Sequence, residues 1–319
     1  MKNTIKIITW ALLICIVAFI NVIPKKTSNA IVEDNNYKAV LTVWQIDSFE
    51  GGNGSRTAFL RNVSSGFSKK YKGILTLVTS HSVESAEKSL NEGKIPDIVS
   101  VGASGLDFSR YQTEVGNLSV EGGGILNKKR YFVPWAKGGY FKFVKGGGED
   151  IIISEGKYNS SLIAFAISSK KCENYKIYNQ LDAFNSFVTS KSATLIGTHR
   201  DVIRLKNREI ECSIEPLGDF CDLYQYAIIT SKQNAYYSRL FIDYLLSDAV
   251  QDKLINISML STVKVGLYSD IQAFTKLEKQ KINHIISPFT DIKTIEKLKE
   301  IAKETLKGTK DLEELTKHL

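Results

Sequence analysis

The sequence predicts an α/β protein built from two units. Compact apolar runs alternate with amphipathic, helix-period segments over residues 39–101 and again over 181–254, with short glycine- or proline-marked turns between them. The composition agrees: 43% hydrophobic and 24% charged residues in 319 is ordinary for a folded chain, and the length suits about two domains. That balance excludes a polytopic membrane protein, a collagen, a coiled coil and a disordered chain.

The first unit reads in order. Ala39–Trp44 is a buried strand, followed by Gln45-Ile46-Asp47 and the glycine-rich turn Gly51-Gly52-Asn53-Gly54. Phe59, Leu60, Val63 and Phe67 share one face of a helix, with Ser55 as its N-cap and Gly73 as its stop. Ile74–Thr79 is a second strand. Ser82 caps a helix carrying Val83, Ala86 and Leu90 that closes at Gly93, and Ile98–Val101 is a third strand. Strand, helix, strand, helix, strand with short loops is a parallel sheet, whose ligand site lies beyond the carboxyl ends of the strands. Those ends carry Trp44-Gln45-Ile46-Asp47, Ser80-His81 and Gly102-Ala103-Ser104-Gly105.

The middle has a different texture. Glycine triplets at 122–124 and 146–148 flank Tyr131-Phe132-Val133-Pro134-Trp135 and Gly138-Gly139-Tyr140-Phe141, read as strands and turns. Leu162–Ile167 is expected to be a strand, Leu181, Phe184 and Val188 to mark a helix, and Ala193–Gly197 a strand with Thr198-His199-Arg200-Asp201 at its mouth. Leu223–Ile229 is a further apolar run, and Ala235–Leu246 a helix. Asp248 with Gln251 looks like a capping box, and residues 290–319 read as two amphipathic helices divided by Gly308. With no flexible tether in sight, the two units should be joined by strand-like crossovers.

Residues 1–30 look like a targeting segment. Lys2 and Lys6 precede a stretch of about 17 apolar residues, and Ser28-Asn29-Ala30 follows it with small residues two apart. The stretch sits at the short edge for a bilayer span, so a leader cleaved after Ala30 and a retained anchor both stay open. Cys15 follows Ile14 in mid-stretch, which speaks against lipidation there. Either way, the remainder is expected at the outer face of the cytoplasmic membrane or secreted. Lys2, Lys6, Lys25 and Lys26 supply four of the +8 net charge and residues 1–30 hold no acid, which leaves +4 beyond them. A nucleic-acid partner is therefore not expected. Cys172, Cys212 and Cys221 are odd in number and far from a CxxC pattern, and their pairing is left open. The four histidines are dispersed, so neither a metal site nor a cofactor is expected.

Five segments in this order resemble the family 1 extracellular solute-binding proteins, which serve ATP-binding-cassette importers. They are LTVWQIDSFEGGNGSRTAFL (41–60), GKIPDIV (93–99), the Pro134-Trp135 segment with Gly139-Tyr140, FVTSKSATLIGTHRDVIRL (187–205), and the strand and helices over 223–254. The likeness spans roughly residues 37–319. Lys191-Ser192 stands where the family often has Gly-Lys, the chain is shorter than many of the family's sugar binders, and no lipobox is present. The resemblance implies a two-lobed periplasmic-binding-protein-like fold with a ligand cleft between lobes joined by crossover strands. It places 37–130 with 223–272 in one lobe and 131–222 with 273–319 in the other. The implied function is capture of a small solute, a carbohydrate first of all, by lobe closure and its delivery to the permease subunits of the importer by a monomeric protein. A membrane-tethered sensor domain is the alternative.

The candidate contacts lie at strand ends. Trp44 and Trp135 offer indole faces for stacking on a sugar or a cation, and Tyr140 is a weaker version of the same. Asp47 and Arg56 flank the glycine turn and suit ligand hydroxyls, and Gln45 is a further candidate at the same strand end as Trp44. Ser104 sits in a Gly-Ala-Ser-Gly turn, and His199, Arg200 and Asp201 open the second unit. An enzyme is not expected: Gly-x-Ser-x-Gly is missing around Ser104, His199 and Asp201 lie too close in sequence to orient a triad, and the glycine runs lack a P-loop ending.

Overall fold

The structure is a computed structural model that describes residues 37–47, 55–116, 120, 124–126, 128–148, 150–157, 159–169, 171–218, 220–221, 223–258, 262–280, 284–286 and 289–319. The targeting segment, the Gly51–Gly54 turn, Gly122 and Gly123 lie outside these. The chain divides into Met1–Lys38, of which Tyr37 and Lys38 are described, and a compact body, Ala39–Leu319.

The body runs β1 (Ala39–Asp47), α1 (Ser55–Lys70), β2 (Ile74–Ser82), α2 (Val83–Asn91), β3 (Ile98–Val101), β4 (Ile125–Leu126), β5 (Lys129–Arg130), β6 (Phe132–Lys137), β7 (Tyr140–Lys145) and β8 (Asp150–Glu155). It continues with α3 (Ser161–Ser168), β9 (Tyr175–Asn179), α4 (Gln180–Thr189), β10 (Ala193–Thr198), α5 (His199–Asn207), β11 (Ser213–Leu217), β12 (Phe220–Cys221) and β13 (Tyr224–Ile229). Last come α6 (Ala235–Leu245), α7 (Asp248–Gln251), α8 (Leu254–Ser258), α9 (Gln272–Glu278), β14 (His284–Ile285), α10 (Ile292–Lys307) and α11 (Leu312–Thr316).

Two five-stranded sheets form two lobes, in the orders β2-β1-β3-β13-β6 and β11-β7-β10-β8-β9. In the first, β1 is parallel to β2 and β3, while β13 is antiparallel to β3 and β6. In the second, β7 is antiparallel to β10 and β11, while β8 is parallel to both β9 and β10. The chain leaves the first sheet at the carboxyl end of β6 and re-enters it at the amino end of β13. These directions bring the carboxyl ends of β1, β2 and β3 to the crossovers. The same reasoning brings the carboxyl ends of β8, β9 and β10 there from the other side. The two lobes therefore turn toward each other the strand ends where ligands bind in open α/β sheets.

Local chemistry explains the elements. The Ser82 side chain accepts the Ser85 amide at the start of α2, Asn179 accepts those of Leu181 and Asp182 at α4, and Asp291 accepts that of Thr294 at α10. Gly308 ends α10 in the left-handed region, φ 73°, which a glycine adopts without penalty. Asp97 ties the first sheet to its flank: its carboxylate accepts from Thr42 N at 2.8 Å, Thr42 Oγ1 at 2.9 Å and Asn234 Nδ2 at 2.9 Å.

Four expectations are corrected. Leu162–Ile167 is helix, because an apolar run of that length has no period to separate strand from buried helix, and Ser161–Ala166 is buried all round. Phe132–Lys137 belongs to the first sheet, so the chain crosses at Gly138-Gly139 and not at 131. Tyr268 packs with the second-lobe cluster, so the final return falls between Leu254 and Tyr268, before 272. Asp248 is the first residue of α7 after the N-cap Ser247. Gln251 instead donates to the Trp135 and Leu245 carbonyls at 2.9 and 3.0 Å. Cys172 and Cys212 are free thiols.

Trp135 is a core residue of the first lobe. It is 0% exposed, its ring lies parallel to Phe59 at 5.6 Å, and its Nε1 donates to Ser100 Oγ at 3.0 Å. Trp135→Ala should lower unfolding stability by about 3–5 kcal/mol, read from the urea midpoint at constant slope.

Candidate ligand cleft

The floor of the cleft is the paired crossover. Gly138 N donates to Leu223 O at 2.6 Å, His199 N donates to Gly139 O at 2.8 Å, and Gly139 N donates to His199 Nδ1 at 3.3 Å. A Cβ at Gly138 would come within 2.5 Å of the His199 ring, so only glycine allows this approach. The lobes also touch farther out. A Cβ on Gly105 would lie 2.8 Å from Asp291, Lys157 Nζ is 3.9 Å from Glu84 Oε1, and Phe132 meets Phe289 edge-on at 5.1 Å.

On the first-lobe side, β1 and β2 end in a polar and aromatic cluster. Trp44 is largely buried and lies 4.4 Å from the His81 ring at 32°. Ser80 Oγ donates to Asp47 Oδ2 at 3.0 Å, and Thr79 Oγ1 bonds His81 Nε2 at 3.0 Å. Asp47 Oδ1 and His81 Nδ1 are buried without a hydrogen-bond partner among the described residues. Partial burial holds the His81 pKa below its usual range, and the Asp47 charge opposes that shift. Nearer the floor, Thr57 Oγ1 and both amide atoms of Gln225 are also buried without such a partner.

On the second-lobe side, α5 begins with His199 and Arg200. Burial first, then the nearby charges of Arg200 and Arg56, hold the His199 pKa down to about 3. That coupling brings Arg56 of the first lobe into electrostatic range of His199. At the end of β8, Glu155 and Lys299 form a largely buried ion pair at 2.6 Å. Burial pushes the Glu155 carboxyl up, and Lys299 opposes that push. Beyond it, Asn159 Oδ1, Ser160 Oγ and Ser161 Oγ are fully buried and have no hydrogen-bond partner among the described residues.

Of the expected contacts, Trp44, Asp47, Arg56, Ser104, His199 and Arg200 lie at the facing ends of the two lobes. Four others are held elsewhere. Trp135 lies inside the first-lobe core. Gln45 is fully buried, with Nε2 on the Ile46 carbonyl and Oε1 accepting from Ser100 at 2.7 Å. Tyr140 is fully buried, its ring stacked on Phe220 at 5.8 Å and its hydroxyl accepting Ser160 N at 2.7 Å. Asp201 completes a capping box with Thr198, taking Thr198 N at 2.9 Å on Oδ2 and Arg204 on Oδ1. These side chains are consumed by packing and capping. Ser104 Oγ also serves its own turn, accepting Leu106 N at 3.3 Å. Among the residues not anticipated, Gln225 had a signal, an amide inside an apolar strand, and Asn159-Ser160-Ser161 had another, a polar cluster directly before an apolar helix.

No family model and no curated protein matches the chain. Solved structures do. The sugar-binding protein MalE from Xanthomonas citri aligns with a TM-score of 0.66 at 11% identity, over 87% of this chain and 94% of that one. RafE from Streptococcus pneumoniae aligns at 0.60 and 10% identity, over 88% and 96%. The fold is two-lobed and periplasmic-binding-protein-like. Iron-bound HitA from Pseudomonas aeruginosa aligns as well, at 0.56 and 13% identity over 83% and 99%. At these identities the likeness is one of fold, and proteins with different ligands share it.

His199 yields a pH dependence. It stays neutral in the fold down to about pH 3 but takes up a proton near the ordinary histidine value of 6.5 when unfolded. Its contribution to stability is therefore complete above 6.5 and is lost as pH falls toward 3. The urea midpoint should drop between pH 7 and pH 4, and His199→Gln should show a shallower drop over the same range. Asp201→Ala should cost about 1 kcal/mol of stability through the lost cap, as measured by urea unfolding.

Proposed function

We propose that this protein captures a small solute of the carbohydrate class between its two lobes, without chemical change, and delivers it to the permease subunits of an ATP-binding-cassette importer at the outer face of the cytoplasmic membrane. The observation that carries this reading is the pairing of the two sheets. Carboxyl strand ends face each other across a shared crossover, and each contributes polar side chains buried from water. Such an arrangement binds by closing on a ligand, and closure adds only the free energy of contacts made in the closed state.

Three neighbours support the carbohydrate class. MalE is a sugar-binding protein, RafE has been solved with raffinose, and the GacH receptor of Streptomyces glaucescens with acarbose. Trp44 supplies the aromatic face and Asp47 the acceptor for sugar hydroxyls.

Thermal melting against maltose, raffinose, polyols, amino acids, oligopeptides and ferric salts tests the proposal. A binding sugar at a hundred times its Kd should stabilise the protein by about 2.7 kcal/mol, and Trp44→Ala should remove most of that gain. A shift with peptides or iron alone, or turnover of any of these compounds, would refute the reading.

A further inference from the structure

We infer that Asn159, Ser160 and Ser161, at the start of α3, form the second-lobe subsite of the cleft and that this subsite takes uncharged hydroxyls in preference to an anion. The inference rests on the solute-capture reading above and names the ligand chemistry it implies.

Three consecutive residues are fully buried, and each keeps a polar atom without a hydrogen-bond partner among the described residues. A buried polar atom left unpaired destabilises a fold, and alanine would fill either serine position at less cost. Their shared place gives the exception a meaning. They follow β8 at the end that faces the other lobe, and Ala103 of the first lobe packs into the same apolar cluster as Tyr140 and Leu162. Parting the lobes is what would bring a solute to them.

The frame holding these atoms is rigid. Tyr140 Oη accepts Ser160 N at 2.7 Å, Asn159 Nδ2 donates to Ser154 O at 3.4 Å, and Lys299 Nζ donates to Gly156 O at 2.6 Å. The same frame disfavours an anion. A helix N-terminus ordinarily attracts negative charge, but here Glu155 already occupies it. Its Oε2 accepts Leu162 N at 2.9 Å, and its Oε1 accepts Gly156 N at 3.3 Å and faces Lys299 Nζ at 2.6 Å. The positive end of the helix and the lysine are both answered by one resident carboxylate. What remains is two hydroxyls, able to donate or accept, and one amide oxygen that accepts. A sugar diol matches that set; a phosphate or carboxylate would meet Glu155 and the Asn159 oxygen.

The test is calorimetric titration of the full chain and of Ser160→Ala, Ser161→Ala and the double variant with maltose, raffinose, glucuronate and inorganic phosphate, alongside melting of each protein without ligand. The expected result is that the neutral sugar bound by the unaltered chain binds about tenfold more weakly to each single variant, while the ligand-free melting midpoints hold or rise. Unchanged sugar affinity would overturn the subsite and leave solute capture standing. A lowered midpoint in the ligand-free variants would show the hydroxyls to be structural and overturn it too. Preferential binding of glucuronate or phosphate, weakened by the variants, would overturn the neutral class alone. Failure of every probe to bind would refute carbohydrate capture itself, and this inference with it.

Discussion

The structure depends on one close approach. Between β6 and β7 the backbone passes through Gly138 and Gly139 with the His199 ring against it, where a Cβ added at Gly138 would collide with that ring and one added at Gly139 with the Leu277 side chain. Hydrogen bonds from Gly138 to Leu223 and between Gly139 and His199 bind the two crossovers to the start of α5. The lobes are thereby joined through backbone that is short, paired and buried, and their strand ends are fixed in opposition. His199 serves this arrangement as a neutral ring, because charging it there would require hydrating a group that water does not reach.

Around that junction the protein departs from the rule that buried polar atoms are paired. Much of the first-lobe core obeys the rule: Trp135, Ser100 and Gln45 pass hydrogen bonds from one to the next, and Asp97 collects three donors, although Thr76 Oγ1 and Ser238 Oγ there are also without a partner among the described residues. The exceptions at Asp47, Thr57, His81, Gln225 and residues 159–161 include groups from both facing strand ends. A fold tolerates a few such costs where function uses them. The same two-lobed frame accommodates sugars in MalE and RafE and iron in HitA, so the topology does not specify the ligand.

How much was legible in the sequence follows from what each residue does. The first lobe was, because Ala39–Trp44, Phe59 to Phe67 and Ile98–Val101 carry clean strand and helix periods with capping and stopping residues at their ends. Leu162–Ile167 was not, since uniform apolarity has no period. Among the candidate site residues, Trp44 and Asp47 lie at the carboxyl end of β1 and Arg56 at the start of α1, as their positions in the sequence suggest, whereas Trp135 and Tyr140 are fully buried. An aromatic beside a glycine turn reads the same whether its ring faces a cleft or a core. Asp201 shows a related ambiguity, because a carboxylate three residues into a helix suits a cap as well as a ligand.

By itself, then, the sequence determined the α/β class, the order of strands and helices in the first lobe, and the strand ends where polar groups would gather, because these are local properties carried by periodicity and turn residues. Only the tertiary structure decided that β6 joins the first sheet, that the chain crosses at Gly138-Gly139, which indoles and carboxylates serve packing and capping, and which buried polar atoms find partners within the fold. Those outcomes depend on contacts between residues tens to more than a hundred positions apart, such as Gly139 with His199 and Trp135 with Gln251, and no local pattern encodes them.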